Sequence, residues 1–123
     1  MQKLLVVDDD PDILYLLKTV LEAYRFAVET ASNGQEAIEG VRAGVPVPAG
    51  IFLDLRMPVM DGFEALDILR QAYPDVPIIV ITASKTCNIA QKVRARGANG
   101  CLLKPFDPGA LRAILRESLG WAP

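Results

Sequence analysis

The sequence predicts an α/β fold in which a five-stranded parallel sheet is covered by helices on both faces. Three observations carry that reading. Strand-length apolar runs alternate with helix-length amphipathic runs along the whole chain. Several strand runs are almost entirely apolar, as expected where a strand is buried on both faces. The chain has 123 residues, 51% of them hydrophobic and 23% charged, enough for one ordinary core, so residues 1–123 are expected to form a single domain.

The elements follow in order. Lys3 to Asp8 reads as the first strand, and Pro11 to Tyr24 as the first helix, because Ile13, Leu17, Val20, Leu21 and Tyr24 fall on one stripe. Phe26 to Thr30 is the second strand. Asn33-Gly34 then makes a turn whose asparagine can cap a second helix running to about Arg42. Gly44 to Gly50, with Pro46 and Pro48, is a loop, and the third strand, Ile51 to Asp54, follows it at once. Asp61-Gly62 opens a third helix that must end before Pro74. Pro77 to Thr82 is the fourth strand, Lys85 to Arg96 a fourth helix closed by Gly97, and Gly100 to Lys104 the fifth strand. Asp107, with Pro108 at the first helical position, starts the last helix.

Composition excludes several function classes. With 13 basic and 15 acidic residues the net charge is −2, so no general positive field recommends nucleic acid or an anionic membrane as partner. The longest apolar runs, such as Leu4 to Val7 and Val76 to Ile81, fall far short of the roughly 20 residues of a membrane helix. Nothing near Lys3 resembles a signal peptide, and the expected location is the cytoplasm. There is no histidine, and Cys87 and Cys101 lack metal-ligand spacing, which removes most zinc sites and every histidine-based triad. Both cysteines read as small, reduced hydrophobes.

In open parallel sheets ligands bind beyond the carboxyl ends of the strands. The residues expected there are Asp8, Asp9 and Asp10 after the first strand, Asp54 ending the third, Thr82 ending the fourth and Lys104 ending the fifth. Taken singly, each has a bland explanation: an aspartate run is commonly a solvated helix start, a Lys-Pro a turn, a strand-end threonine structural. Their joint placement is what matters. Carboxylates gathered in a small volume repel one another unless a cation offsets them, and an all-oxygen set suits Mg²⁺ or Mn²⁺. Asp9 and Asp54 are the expected direct ligands, with Asp8 acting through water. Lys104 and the Thr82 hydroxyl add a point charge and a donor suited to phosphoryl oxygens. Carboxylate, cation, hydroxyl and lysine together describe a phosphoryl-transfer site, with Asp54 as nucleophile and Asp8 and Asp9 as the metal clamp.

Leu5-Val6-Val7-Asp8-Asp9-Asp10-Pro11, Phe52-Leu53-Asp54-Leu55-Arg56-Met57-Pro58 with Met60-Asp61-Gly62, Ile81-Thr82-Ala83 and Leu103-Lys104-Pro105-Phe106 resemble the receiver domain of bacterial two-component response regulators over essentially the whole chain. The resemblance implies a flavodoxin-like strand order of 2-1-3-4-5. It also implies phosphorylation of Asp54 by a sensor histidine kinase or phosphotransfer protein, and at most weak self-phosphorylation and autodephosphorylation. A backbone-carbonyl metal contact from Arg56, a cis Lys104–Pro105 peptide, and a downstream protein target or output domain are implied as well.

Two other readings fit part of the pattern. A small Mg²⁺-dependent aspartyl-phosphate phosphatase shares the residue types, but here the expected nucleophile, Asp54, ends the third strand rather than the first, the Asp-x-Asp spacing is absent around it, and the chain leaves no room for a substrate cap. The chain could also be the regulatory half of a longer transcription factor. One departure from the family pattern concerns the readout: the aromatic residue usual two positions into the last strand, which turns inward as the threonine moves, is Cys101. Thr82 and Cys101 are therefore the expected switch pair, in altered form.

Overall fold

The computed structural model describes residues 2–44, 46–56, 60–83, 89–105 and 107–122. It contains β1 (Lys3–Val7), α1 (Pro11–Ala23), β2 (Ala27–Ala31), α2 (Gly34–Arg42), β3 (Gly50–Asp54), α3 (Gly62–Ala72), β4 (Ile78–Thr82), α4 (Ile89–Ala95), β5 (Gly100–Leu103) and α5 (Pro108–Leu119). All strand pairs are parallel, in the order β2-β1-β3-β4-β5. Both the expected class and the order implied by the family resemblance are found.

Alternation along the strands divides the core in two. Leu4, Val6, Phe52, Ile79, Ile81 and Leu102 meet Leu17 and Leu21 of α1 and Leu111 and Leu115 of α5. On the other face, Val7, Ile51, Leu53, Ile78 and Val80 meet Ala37, Leu66, Leu69 and Val93 of the remaining helices. β3 and β4 are buried at every position, which explains why their sequences lack polar alternation.

The caps are those the sequence predicts. Asn33 Oδ1 accepts from Glu36 N, Asp61 Oδ1 from Phe63 N and Asp107 Oδ1 from Ala110 N. Gly97, with φ of 101°, closes the turn after α4, and the Lys104–Pro105 peptide is cis. Gly62 serves a different need: a Cβ there would stand 2.4 Å from Leu55 Cα, so only glycine lets the start of α3 close against the exit of β3.

Boundaries move by a residue at several strands, for local reasons. Phe26 stays outside β2 because its amide donates to Leu21 O in the turn that ends α1, where Arg25 takes φ of 72°. Pro77 lacks an N–H, and β4 begins at Ile78. Asp8 leaves β1 because its side chain turns back to the Asp10 amide. The expected start of the fourth helix at Lys85 lies outside the described residues, as do Met57, Pro58, Cys87 and Phe106.

Candidate functional site

Three strand ends and the turn after β5 bring the expected residues together. Asp8 follows β1, Asp54 ends β3, Thr82 ends β4 and Lys104 follows β5, whose register with β4 is fixed by Thr82↔Leu103 pairing and by Lys104 N donating to Thr82 O at 2.7 Å. Asp8, Asp54 and Thr82 are the buried polar residues among those described. Every other buried residue among those described is apolar or glycine or proline, so among the described residues polar burial is confined to one end of the sheet.

Asp8 is fully buried. Its amide donates to Ala31 O at 3.1 Å, and its Oδ1 accepts from Asp10 N at 2.9 Å. Its Oδ2 has no hydrogen bond of proper geometry and is held by charge alone, 2.9 Å from Lys104 Nζ. Lys104 Nζ also lies 3.6 Å from Asp54 Oδ1, which accepts a long hydrogen bond of 3.4 Å from Arg56 N. Carboxylate oxygens of Asp8, Asp9 and Asp54 lie within 4.8 Å of one another, with Asp9 exposed on the loop.

This crowding shifts protonation. Burial, then the charge of Asp8, pushes the Asp54 carboxyl up to about 6; Lys104 and the Arg56 amide pull the other way, and Asp9 adds to the rise. At Lys104, burial disfavours the charge, but the close carboxylates of Asp8 and Asp54 outweigh it and raise the ammonium's pKa. The site is therefore one cation short of balance. A fully buried carboxylate oxygen held only by the charge of Lys104 and a purely oxygen donor set fit a hard divalent ion, Mg²⁺ or Mn²⁺.

The other expected residues fall as follows. Thr82 is buried at the end of β4, on the same sheet face as Val80, which pairs with Cys101 in β5. Cys101 is half-buried and free, and burial pushes its thiol up against the opposing charge of Arg94. Arg56 is exposed and contributes the amide just described. Asp10 is not in the cluster: it caps α1, accepting from Asp12 N at 2.9 Å. Two supports escaped the sequence reading. Ala31 O anchors the Asp8 amide, a backbone contact with no residue signature, and Gly62 permits the close turn after Asp54, for which the Asp61-Gly62 pair was the available signal.

Residues 4–116 match the response regulator receiver domain model. Over 122 residues the chain is 38% identical to the transcriptional regulatory protein CpxR homolog of Haemophilus influenzae, covering 96% of this chain and 52% of that protein. The chain thus spans about half the length of that curated relative. The chemotaxis protein CheY4 of Vibrio cholerae superposes with a TM-score of 0.87 at 36% identity, covering 97% of this chain and 99% of the other. TrrA of Thermotoga maritima, solved in complex with Mg²⁺ and BeF, superposes with a TM-score of 0.84 at 29% identity over 97% of this chain and all of that one. The acidic cluster at the strand ends is of the kind typical of phosphoacceptor sites, and the chain belongs to the response regulator receiver domain family of two-component signalling.

Proposed function

We propose that the chain is a cytoplasmic phosphorylation switch whose acceptor is Asp54. One contrast among the three acids carries the assignment. Asp8 is sealed, with one oxygen turned to the Asp10 amide and the other to Lys104, and Asp9 stands out on the loop. Asp54 ends a strand, keeps slight exposure, 4% against 0% for Asp8, and faces both Lys104 and the acid pair.

In this reading an Asp54 carboxylate oxygen attacks the phosphorus of a phosphohistidine on a sensor kinase or phosphotransfer protein. The phosphorus–nitrogen bond breaks, the imidazole leaves with the bonding pair and takes a proton from solvent, and an acyl phosphate remains. Asp9 and Asp54 would hold Mg²⁺ directly, Asp8 through water and Arg56 through its carbonyl. When bound, the ion supplies charge stabilisation at the transferring oxygens. Lys104 and the Thr82 hydroxyl bind phosphoryl oxygens, and at neutral pH Asp54, with a pKa of about 6, is largely ionised and able to attack. The Mg²⁺ and BeF found with TrrA support the same assignment of roles here.

The signal then passes to a downstream protein target or output domain. Curated relatives named transcriptional regulators are longer than this chain, which favours an output domain as one such target. Leu14, Tyr15 and Lys18 on α1, just past the acids, suit the kinase, and Lys92 and Arg94 on α4, with Arg96 in the turn after it, the target.

Acetyl phosphate with Mg²⁺ should add one phosphoryl group, read by intact mass spectrometry, and Asp54→Ala should add none. Equal incorporation by both proteins would overturn the assignment.

A further inference from the structure

A second recess lies between α2 and the sheet; Asp9, Asp54, Thr82 and Lys104 do not line it, though Ala31, whose carbonyl holds the Asp8 amide, does. Its volume is about 120 Å³. That compares with the ~150 Å³ apolar cavity known to take benzene, and far exceeds the ~15 Å³ that admits one water. Its walls are Leu5 of β1, Ala37, Gly40 and Val41 of α2, Tyr73 and Pro48. The small residues at 37 and 40 are what leave the room: α2 turns almost no side-chain bulk toward the strands at these two positions.

The charge around this recess is not neutral. Lys3, Glu29 and Glu36 line it, and Lys3 is the one basic residue among its described lining. Lys3 Nζ is already committed to Glu29 Oε1 at 2.6 Å. Glu36 has no cation beside it among the described residues, and it is held in place: its amide donates to Asn33 Oδ1 at 2.9 Å while its Oε1 accepts from Ser32 N at 3.2 Å. A partly apolar recess, with Thr30 and the Lys3–Glu29 pair also in its wall and one positioned carboxylate without a described cation beside it, favours a cation carrying a compact hydrocarbon body.

We propose that this recess is a binding site for a small organic cation, a primary amine with an apolar body of about six heavy atoms. The hydrocarbon fills the space over Gly40, and the ammonium pairs with Glu36. An anion of the same shape meets Glu36, which has no described cation beside it, and is disfavoured.

Cyclopentylamine is a suitable probe, titrated into the full chain labelled with ¹⁵N. Saturable amide shifts centred on Leu5, Ala37, Gly40 and Val41 are expected, with a Kd on the order of 1 mM, as befits a ligand of this size. Cyclopentanecarboxylate should produce no saturable shift. Glu36→Gln, at an exposed position where the amide oxygen can still accept from Ser32 N, should weaken the amine about fivefold. Gly40→Val should abolish binding by filling the space. If that variant does not fold, the Glu36→Gln comparison decides alone. Equal binding of amine and carboxylate, shifts centred elsewhere or never saturating, or an unchanged Kd in Glu36→Gln would each overturn the proposal.

Discussion

At the carboxyl end of the sheet, the buried carboxyls of Asp8 and Asp54 find few donors among the described residues. At the opposite end, where β4 and β5 begin, the half-buried Arg70 guanidinium has more acceptors than it needs. Arg70 Nε and one terminal nitrogen donate to Gly97 O at 3.0 and 2.7 Å, and that same nitrogen reaches Asn99 Oδ1 at 2.7 Å. The other terminal nitrogen reaches the carbonyls of Tyr73, Pro74 and Val76 at 3.0, 3.0 and 2.7 Å. Asn99 Oδ1 in turn accepts from Ile78 N at 2.9 Å, so one side chain ties the end of α3 to the starts of both strands. Burial lowers the Arg70 pKa somewhat, but it remains a cation. The difference teaches where this molecule stores stability and where it stores reactivity: a charge matched by fixed dipoles holds the fold, and charges left unmatched wait for a ligand.

Breaking the matched end should cost most. Arg70→Ala strands carbonyls and the Asn99 amide at the junction of three segments, and about 4 kcal/mol of unfolding free energy should be lost, lowering Tm by roughly 15 °C. Arg70→Lys should recover little, because a lysine offers no planar fork. Urea denaturation measures both. A loss below about 1 kcal/mol would mean that the hub is replaceable by water.

The unmatched end should behave in the opposite sense with pH. A carboxyl whose folded pKa exceeds its unfolded value binds its proton more tightly in the native state. Its stabilising contribution is full below the unfolded value of 3.8 and is lost as pH rises through about 6. Without divalent ions, Asp54 alone should therefore remove on the order of 3 kcal/mol between pH 4 and 7, a limit set by its coupling to Asp8. Asp54→Asn should flatten that part of the profile and be more stable than the parent at pH 7. Identical profiles would place the proton elsewhere.

Adding Mg²⁺ sharpens the contrast on a smaller scale. At 10 mM the ion should raise Tm of the parent by a few degrees and steepen with concentration as ligand linkage requires. Asp9→Ala should erase that dependence without unfolding the protein, since an exposed acid is removed from a crowded set. Arg70→Lys should keep it. A Mg²⁺ response that survives Asp9→Ala would exclude Asp9 as a ligand.

The two ends were not equally legible in the sequence. The acids, Thr82 and Lys104 could be read because strand ends are fixed by short apolar runs, and chemistry-bearing residues at those ends are few. Arg70 reads in sequence as an ordinary cation in the last turn of a helix, where the dipole favours it. All but one of its partners are backbone carbonyls, as far as 27 residues away, and carbonyls carry no residue identity to read; the exception is the Asn99 side chain, 29 residues on. Gly97 reads in sequence as a helix stop, which it is, but its second service has no sequence signal: a Cβ there would stand 3.0 Å from Arg70 Cγ, so the bare backbone also admits the arginine. The recess beneath α2 was equally invisible, since Ala37 and Gly40 mean space only once the helix has a fixed distance from the sheet.

Cys101 lies between the two ends and tests how far a disturbance at one travels toward the other. β5 runs only from Gly100 to Leu103, with Asn99 held by Arg70 at its start and Lys104 pairing Asp8 at its finish. Thr82 and Cys101 share a sheet face, Cys101 lying against Val80 and packing on the core beside α4. An aromatic side chain in this position would have to sweep a large volume to follow the threonine, and a thiol can shift without repacking its neighbours. The motion should thus be small and local, damped by the fixed start of the strand. In a Cys87→Ser background, a thiol reagent should label Cys101 slowly at neutral pH, because burial raises its pKa. Mg²⁺ with beryllofluoride should change that rate two- to fivefold, about 0.4–1 kcal/mol in the opening equilibrium. Cys101→Tyr should enlarge the amide shift changes that the same additions produce on α4. If labelling is indifferent to beryllofluoride and the tyrosine variant responds no more than its parent, the signal leaves Asp54 by a route that does not pass through β5.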